Sequence, residues 1–353
     1  MPAISTKTLN DHLPYGIIVL DHDFGLVYAN ETVLKIFDDD KLAIELGKKF
    51  TFLKNYPELF LKVEDAFENK KGFSREFYLS EENIIQVDAN FLPDVILESD
   101  KSSVTSKQDN IVLSLYPISH FKKSEKNQRQ FVANVSHELK TPLTSVLGYL
   151  ETLIDDPEIE AETRDKFLSI ILRQAKRLST IVTDLLTLSL LDKEELNQDS
   201  HDYHPHNIVD VMKNSVSSLK LKAEKKGIKI QLNGVSTLKL NIDSSLMEQA
   251  FVNLIDNAIK FTPVGGIVLI DVSKVGDVAE VRISDEGGGI PEKYHTRVFE
   301  RFFSVDKGRS RKLGGSGLGL SIVKHIILNH NGEVFIKNKV NGNGSIFTIR
   351  LPI

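Results

Sequence analysis

The sequence predicts a multidomain α+β chain, with an α/β segment at each end and a helical hairpin between them. Three observations carry this. Short apolar runs bounded by turn residues cluster before residue 121 and again after residue 204. Between them, apolar residues recur at steps of three and four with a single break. At 353 residues, 41% hydrophobic and 26% charged, the chain is long enough for two or three domains with substantial cores. The expected division is 1–121, 122–195 and 196–353.

In the first segment, "GIIVLDHDFGLVYAN" reads as two short strands joined at the Asp-His-Asp-Phe-Gly turn. Helical pieces follow at "ETVLKIFDDD" and "YPELFLKVEDAFEN", then strands at "FSREFYL", "IIQVDANFL" and "NIVLSLYPI". The polar insert Glu98–Asn110 is expected to be a loop. "HFKKSEKNQRQ" is expected to continue as helix into Phe131.

The middle segment places Phe131, Val135, Leu139, Val146, Leu150 and Leu153 on one helical stripe, and Phe167, Ile170, Ile171, Leu178, Ile181, Leu185 and Leu188 on another. "DDPEIEAET" separates them, so two long helices form a hairpin. Such a hairpin buries little by itself. Its stripes are satisfied by pairing with a second copy into a dimeric four-helix bundle, or by packing against the neighbouring domains. Pro142 lacks an N–H and is expected to bend the first helix. His137, in "NVSHELKTPL", sits among polar and charged neighbours, unlike a packing histidine.

In the last segment, strands are expected at "IKIQLNG", "GIVLIDVSKV", "AEVRISDEG", "EVFIKNK" and "SIFTIRLPI". Helices are expected at Asn207–Lys226, Ser244–Phe261 and Leu318–His330, on one face of a mixed sheet. His201, His204 and His206 read as loop residues rather than a metal cluster.

Composition narrows the classes. Lys and Arg total 44 against 49 Asp and Glu, so the net charge of −5 gives no global reason to expect nucleic-acid binding. The absence of cysteine excludes disulfides, thiolate catalysis and cysteine-zinc sites. It accords with a reducing compartment. No apolar run approaches the ~20 residues of a membrane helix, and "MPAISTKTLNDHLPYG" has no signal-peptide core. The expectation is a soluble, cytoplasmic chain, either entire or as part of a longer receptor.

Three C-terminal motifs gain force together. In "NLIDNAIKFTP", Asn253 and Asn257 are four apart on one helix face, and paired amide oxygens suit Mg²⁺. Lys260 can reach a phosphate and Phe261 can flank a base. Alone, the segment is equally an amphipathic helix with two surface asparagines. In "DEGGGIP", Asp285 ends a strand where a carboxylate can accept from an exocyclic amine. Gly287 and Gly289 clear space for a ring. Alone, this would be an ordinary glycine turn. "GGSGLGLSIVKHII" opens a helix from a glycine-rich turn, whose free N–H groups bind phosphate oxygens. Between the second and third motifs, Phe299, Phe302 and Phe303 are placed to anchor a lid, and Arg309, Arg311 and Lys312 to meet phosphate charge.

The order Asn-rich helix, DxGxGIP, FERFF, GGSGLGLSI resembles the ATP-binding domain of sensor histidine kinases, gyrase and MutL, the Bergerat α/β sandwich. "FVANVSHELKTPLTSVLGYLETL" is similar to the phosphoacceptor helix of those kinases, most closely of the PhoR/WalK type. The resemblance covers roughly residues 120–353. It implies ATP and Mg²⁺ as cofactors, with Asn257 the principal metal ligand, Asn253 supporting it, and Asp285 on adenine. It also implies that Gly287, Gly289, Ile290, Gly315, Gly317, Leu318 and Gly319 shape the nucleotide pocket. ATPase branches of this fold carry a glutamate where this chain has Asn253, and an amide is no general base. A nucleophile other than water is therefore expected, and neutral imidazole serves near pH 7. His137 is the expected phosphoacceptor, with Glu138 as its base. By the same resemblance, Thr141 orients water in dephosphorylating a response-regulator partner. Residues 10–121 resemble a PAS sensor domain, which implies a small-molecule or protein ligand, or none.

Overall fold

The computed structural model describes residues 13–37, 48–80, 82–96, 107–156, 158–196, 203–306, 308, 315–340 and 343–353. The chain divides into two compact units, residues 1–130 and 131–353.

In the first unit, β1 (Gly16–Asp21), β2 (Leu26–Ala29), β3 (Phe73–Tyr78), β4 (Ile84–Ile96) and β5 (Lys107–Pro117) form an antiparallel sheet ordered β2-β1-β5-β4-β3. The β1–β2 turn is fixed locally: Asp21 Oδ1 accepts from the Asp23 and Gly25 amides at 3.0 and 2.6 Å. Period-two alternation sends Ile18 and Leu20, Ile85 and Val87, and Ile111, Leu113 and Leu115 to one buried face. Against it pack Val33 and Ile36 of α1 (Thr32–Phe37) and Leu59 and Val63 of α2 (Pro57–Glu68). One expectation is corrected. The polar loop was placed at Glu98–Asn110, but β5 begins at Lys107, continuing the ladder through Val95↔Gln108 and Ile96↔Lys107. Backbone pairing alone specifies those residues as strand, so no apolar alternation announces it. The rest of that insert, 98–106, lies outside the described residues.

Helix α3 (Ser119–Asp155) begins before Phe131, as expected, and runs on through Pro142. Helix α4 (Ala161–Leu196) follows it. The two touch through Glu138–Arg177 and through the Tyr149 and Phe167 rings, 4.8 Å apart. The apolar stripes divide between two fates. Leu188 and Leu191 are buried in the core of the α/β portion that follows. Leu143, Leu147, Leu150 and Ile154 of α3, with Leu168, Leu172, Leu186 and Leu190 of α4, are exposed in the single chain.

The α/β portion is built on a mixed sheet ordered β11-β12-β10-β9-β7, from β7 (Lys229–Gly234), β9 (Ile267–Val275), β10 (Val278–Ser284), β11 (Glu333–Asn338) and β12 (Ser345–Pro352). Only β7 and β9 pair in parallel. Val268, Ile270 and Val272, Val281 and Ile283, and Phe347 and Ile349 share one core. It is completed by α5 (Ile208–Lys225), α6 (Ser244–Phe261) and α7 (Gly319–Asn329). Each of these elements falls where the sequence placed it. A second correction concerns His204 and His206. They lie not in a loop but in β6 (His204–Asn207), paired antiparallel with β8 (Lys239–Ile242). Leu240 and Ile242 anchor that pair in the core, while "HPHN" itself carries no strand pattern. His201 lies outside the described residues.

Candidate functional site

Helix α6 is fixed at both ends. At its start, Asp243 Oδ1 accepts from the Ser245 and Leu246 amides at 2.8 and 3.0 Å. At its end, Lys226 Nζ donates to the carbonyls of Ile259, Lys260 and Thr262, each at 2.7 Å. Burial of Phe251, Leu254, Ile255 and Ala258 on one face sets the helix rotation. Asn253, Asn257 and Phe261 are thereby left lining a cavity of about 240 Å³. The Asn253 Nδ2 is buried without a hydrogen-bond partner, so the cavity wall offers an unused polar group to an occupant.

Asp285 forms the opposite wall at the end of β10 and is 5% exposed. Its Oδ1 accepts from the Gly287 and Ser345 amides at 2.7 and 3.1 Å. Burial nevertheless raises its pKa above the usual carboxylate value, against the lowering effect of those two bonds. Ile290, also in the wall, is clamped by Asn338. Its N–H donates to Asn338 Oδ1 at 2.9 Å, and its carbonyl accepts from Nδ2 at 2.7 Å. Gly287, Gly289, Gly317 and Gly319 line the same space. At Gly317 the need for glycine is specific: φ is +75°, and a Cβ would stand 2.9 Å from Phe302 Cα. Leu318 is fully buried beneath the turn. Of the aromatic cluster, Phe303 lines the cavity, Phe299 packs into the core, and Phe302 lies against Phe131 with centroids 5.8 Å apart.

A second cavity, about 360 Å³, adjoins the first. His137 and Glu138 of α3 line it from one side, and Phe302 and Gly315 from the other. Ser304, Ser316 and Gly317 line both cavities. The exposed His137 therefore faces, within one chain, the glycine turn that bounds the asparagine-lined cavity. Glu138 Oε2 accepts from Arg177 Nη2 at 2.7 Å. Thr141 is exposed, and its hydroxyl donates to the His137 carbonyl at 3.1 Å. Lys260 pairs with Asp256 at 2.9 Å and does not line the asparagine-lined cavity. Arg311, with Arg309 and Lys312, lies outside the described residues.

Two participants escaped the motif reading. Arg177 meets Glu138, and Asp184 accepts a hydrogen bond from Ser316 Oγ at 2.8 Å. Asp184 is a lone charge inside the apolar run of α4, and that interruption was the available signal; Arg177 stands beside Lys176 and one turn after Arg173, and nothing in the sequence singles it out. No group of three or more His, Cys, Asp or Glu among the described residues is arranged to hold a metal ion. The donors at the cavity are amide oxygens, which suit a hard cation beside phosphate. Among the described residues, no helix is long and apolar enough to cross a membrane.

Two family models match the chain. Residues 127–194 match the His Kinase A (phospho-acceptor) domain, and residues 242–353 match the histidine kinase-, DNA gyrase B-, and HSP90-like ATPase. The chain is 38% identical over 241 residues to the sensor-like histidine kinase SenX3 of Mycobacterium tuberculosis (strain ATCC 25618 / H37Rv), covering 68% of this chain and 58% of SenX3. It is 32% identical over 345 residues to a sensor protein kinase WalK of Staphylococcus aureus, covering 97% of this chain and 79% of that one. Its fold is similar to that of histidine kinase ThkA, solved in complex with response regulator protein TrrA. There the TM-score is 0.51 at 23% identity, covering 99% of this chain and 98% of that one. The chain thus spans 58% of SenX3 and 79% of that WalK, but only 53% of the sensor histidine kinase WalK of Bacillus subtilis (strain 168). The glycine turn and asparagine helix fall within the second match and the histidine helix within the first, and the chain belongs to the sensor histidine kinase family of two-component systems.

Proposed function

We propose that the chain is an ATP-dependent protein-histidine kinase that phosphorylates its own His137 and passes the phosphoryl group to an aspartate of a response regulator. One observation carries this reading: the histidine's cavity and the asparagine-lined cavity share Ser304, Ser316 and Gly317. In-line phosphoryl transfer asks chiefly for such positioning.

In this reading, Asp285 accepts from the adenine amine through Oδ2, since both backbone bonds land on Oδ1. Phe261 flanks the base. The amide oxygens of Asn257 and Asn253 would hold Mg²⁺, which when bound neutralises phosphate charge. The glycine turn presents N–H groups to phosphate oxygens. One imidazole nitrogen of His137 attacks the γ-phosphorus as the bond to ADP breaks, and Glu138 takes the proton leaving the ring. With Asn253 where a water-activating glutamate would stand, hydrolysis does not compete. Thr141 serves the reverse task of dephosphorylating the regulator.

The exposed leucines of α3 and α4 support a homodimer closed as a four-helix bundle. ThkA's complex with a response regulator supports that class of partner. The proposed organisation is a PAS-like sensor (1–121) open to a small-molecule or protein ligand, a dimerisation and phosphoacceptor hairpin (122–195), and a catalytic ATP-binding domain (196–353). Incubation with γ-labelled ATP and Mg²⁺ should place acid-labile, alkali-stable phosphate on the wild-type chain and none on His137→Gln. A chase with a purified regulator should then move the label. Label on Ser or Thr, or an undiminished signal in His137→Gln, would sink the proposal.

A further inference from the structure

A buried carboxylate outside both cavities reaches the turn between them. Asp184 lies on α4 within "IVTDLLTLSLL" and is 9% exposed. Its Oδ2 accepts from Ser316 Oγ at 2.8 Å, and Ser316 Oγ in turn accepts from the Leu318 amide at 3.2 Å. A relay of two hydrogen bonds therefore runs from the hairpin, through a serine that lines both cavities, to the start of α7. Among the described residues the neutralising charge nearby is that of Lys260, and burial still raises the Asp184 pKa. A carboxylate kept in so unfavourable a place by one serine calls for a role.

Other contacts tie the same two surfaces together. Arg301 Nη2 donates to Asp192 at 2.6 Å, Gln249 Nε2 donates to Thr187 Oγ1 at 3.2 Å, and Phe302 packs on Phe131. These hold the surfaces side by side, but they end on residues that do not line the asparagine-lined cavity. Of the hairpin residues in these contacts, Asp184 bonds directly to the glycine turn, whereas Phe131 reaches it only through Phe302, whose N–H donates to the Gly317 carbonyl.

We infer that Asp184 is a positioning residue for phosphoryl transfer: through Ser316 it fixes the phosphate end of the nucleotide cavity in register with His137 of the same chain. The inference rests on the kinase reading above. It adds that the hairpin helix not bearing the histidine sets the alignment of the donor. Asp184 touches neither nucleotide nor imidazole, so its removal should act on rate and not on binding.

The test uses the full chain with γ-labelled ATP and Mg²⁺, and a non-hydrolysable ATP analogue for affinity. Asp184→Ala should slow labelling of His137 at saturating ATP by tenfold or more, while analogue affinity stays within twofold. Asp184→Asn keeps an oxygen that accepts from Ser316 and should recover most of the rate. Ser316→Ala removes that bond and the one from the Leu318 amide, so it should slow labelling at least as much as Asp184→Ala, with the double variant no slower than Ser316→Ala. The inference is overturned by an unchanged or faster rate in Asp184→Ala, by additive losses, or by analogue affinity falling in step with rate. Thermal unfolding identifies a misfolded alanine variant, and the asparagine rescue then decides alone. Absence of His137 labelling in the wild-type chain would instead refute the kinase reading.

Discussion

Arg177 on α4 donates to Glu138 on α3 across 2.7 Å, and their side chains are only 11% and 18% exposed. The pair joins the two hairpin helices beside the expected nucleophile. Removing one member of a buried pair leaves the other charge without compensation, at about 3–5 kcal/mol when burial is complete. The residual exposure here reduces that, so Arg177→Ala should cost about 1–3 kcal/mol in urea unfolding. Glu138→Gln retains an acceptor for the guanidinium and should cost less than about 1 kcal/mol. It loses the proton acceptor, however, so His137 labelling should drop about 10²-fold or more. A Glu138→Gln chain labelling at the wild-type rate would remove Glu138 from the mechanism.

Asp285 should trade stability for binding. Burial raises its folded pKa above the unfolded value of about 3.9. Between those values the native state binds more protons than the unfolded one, so stability falls as pH rises through that window. The penalty is complete above the folded value and absent below the unfolded one. Asp285→Asn keeps an acceptor for the Gly287 and Ser345 amides but carries no charge. The nucleotide-free variant should therefore be at least as stable as wild type at pH 7, with the difference shrinking toward pH 3. Loss of a hydrogen bond to a charged group, about 1.5–3 kcal/mol, should weaken ATP-analogue binding roughly ten- to hundredfold. Calorimetric titration with urea curves at both pH values checks this, and undiminished affinity would refute the adenine contact.

Gly317 and Gly276 make a controlled pair. Both have positive φ, +75° and +61°. A Cβ at Gly317 would meet Phe302 Cα at 2.9 Å, whereas nothing lies within 4 Å at Gly276. Gly276→Ala should lose about 1–2 kcal/mol from the left-handed backbone alone and bind nucleotide normally. Gly317→Ala adds a clash with main chain that also closes onto Phe302 N through a 2.8 Å hydrogen bond. It should lose more stability and at least tenfold in ATP-analogue affinity. Equal behaviour of the two variants would show that the close approach at Gly317 is not needed.

Thr141→Ala separates two activities. The hydroxyl is spent on the His137 carbonyl, an exposed helical bond worth little. Autophosphorylation and helix content should stay near wild type, while dephosphorylation of the phosphorylated regulator should slow about tenfold or more. Parallel loss of both activities would mean that the substitution merely disturbs the helix.

What was legible in the sequence follows a physical division. The strands β9, β10 and β12 and the helix α6 announce themselves because one face of each is buried against a single core, which imposes period two or 3.6. Asn253, Asn257, Asp285 and the glycines were legible because their spacing is local to one helix or one turn. The β6–β8 pair and the first residues of β5 were not, since backbone pairing with a distant strand defines them. Arg177 and Asp184 were missed for the same reason: their partners are Glu138, 39 positions away, and Ser316, 132 positions away.

The exposed hairpin leucines lead to a prediction about assembly. Leu143, Leu147, Leu150 and Ile154 follow one another at steps of four, three and four along α3, and Leu168 and Leu172 lie one turn apart on α4. Leu172 is 57% exposed and Leu147 50%, far from the treatment of Leu188, which is 1% exposed in the adjoining core. Burying each leucine would gain about 1.5–3 kcal/mol, and a second copy presenting the same stripe completes a closed, self-complementary bundle. Leu147→Glu or Leu172→Glu should therefore convert a dimer to monomers in sedimentation equilibrium at micromolar concentration. The monomer should keep ATP-analogue affinity within about twofold, because neither residue touches the α/β core or its cavity. A wild-type chain that sediments as a monomer would refute the bundle. Glutamate variants that remain dimeric would place the interface on another face of the chain.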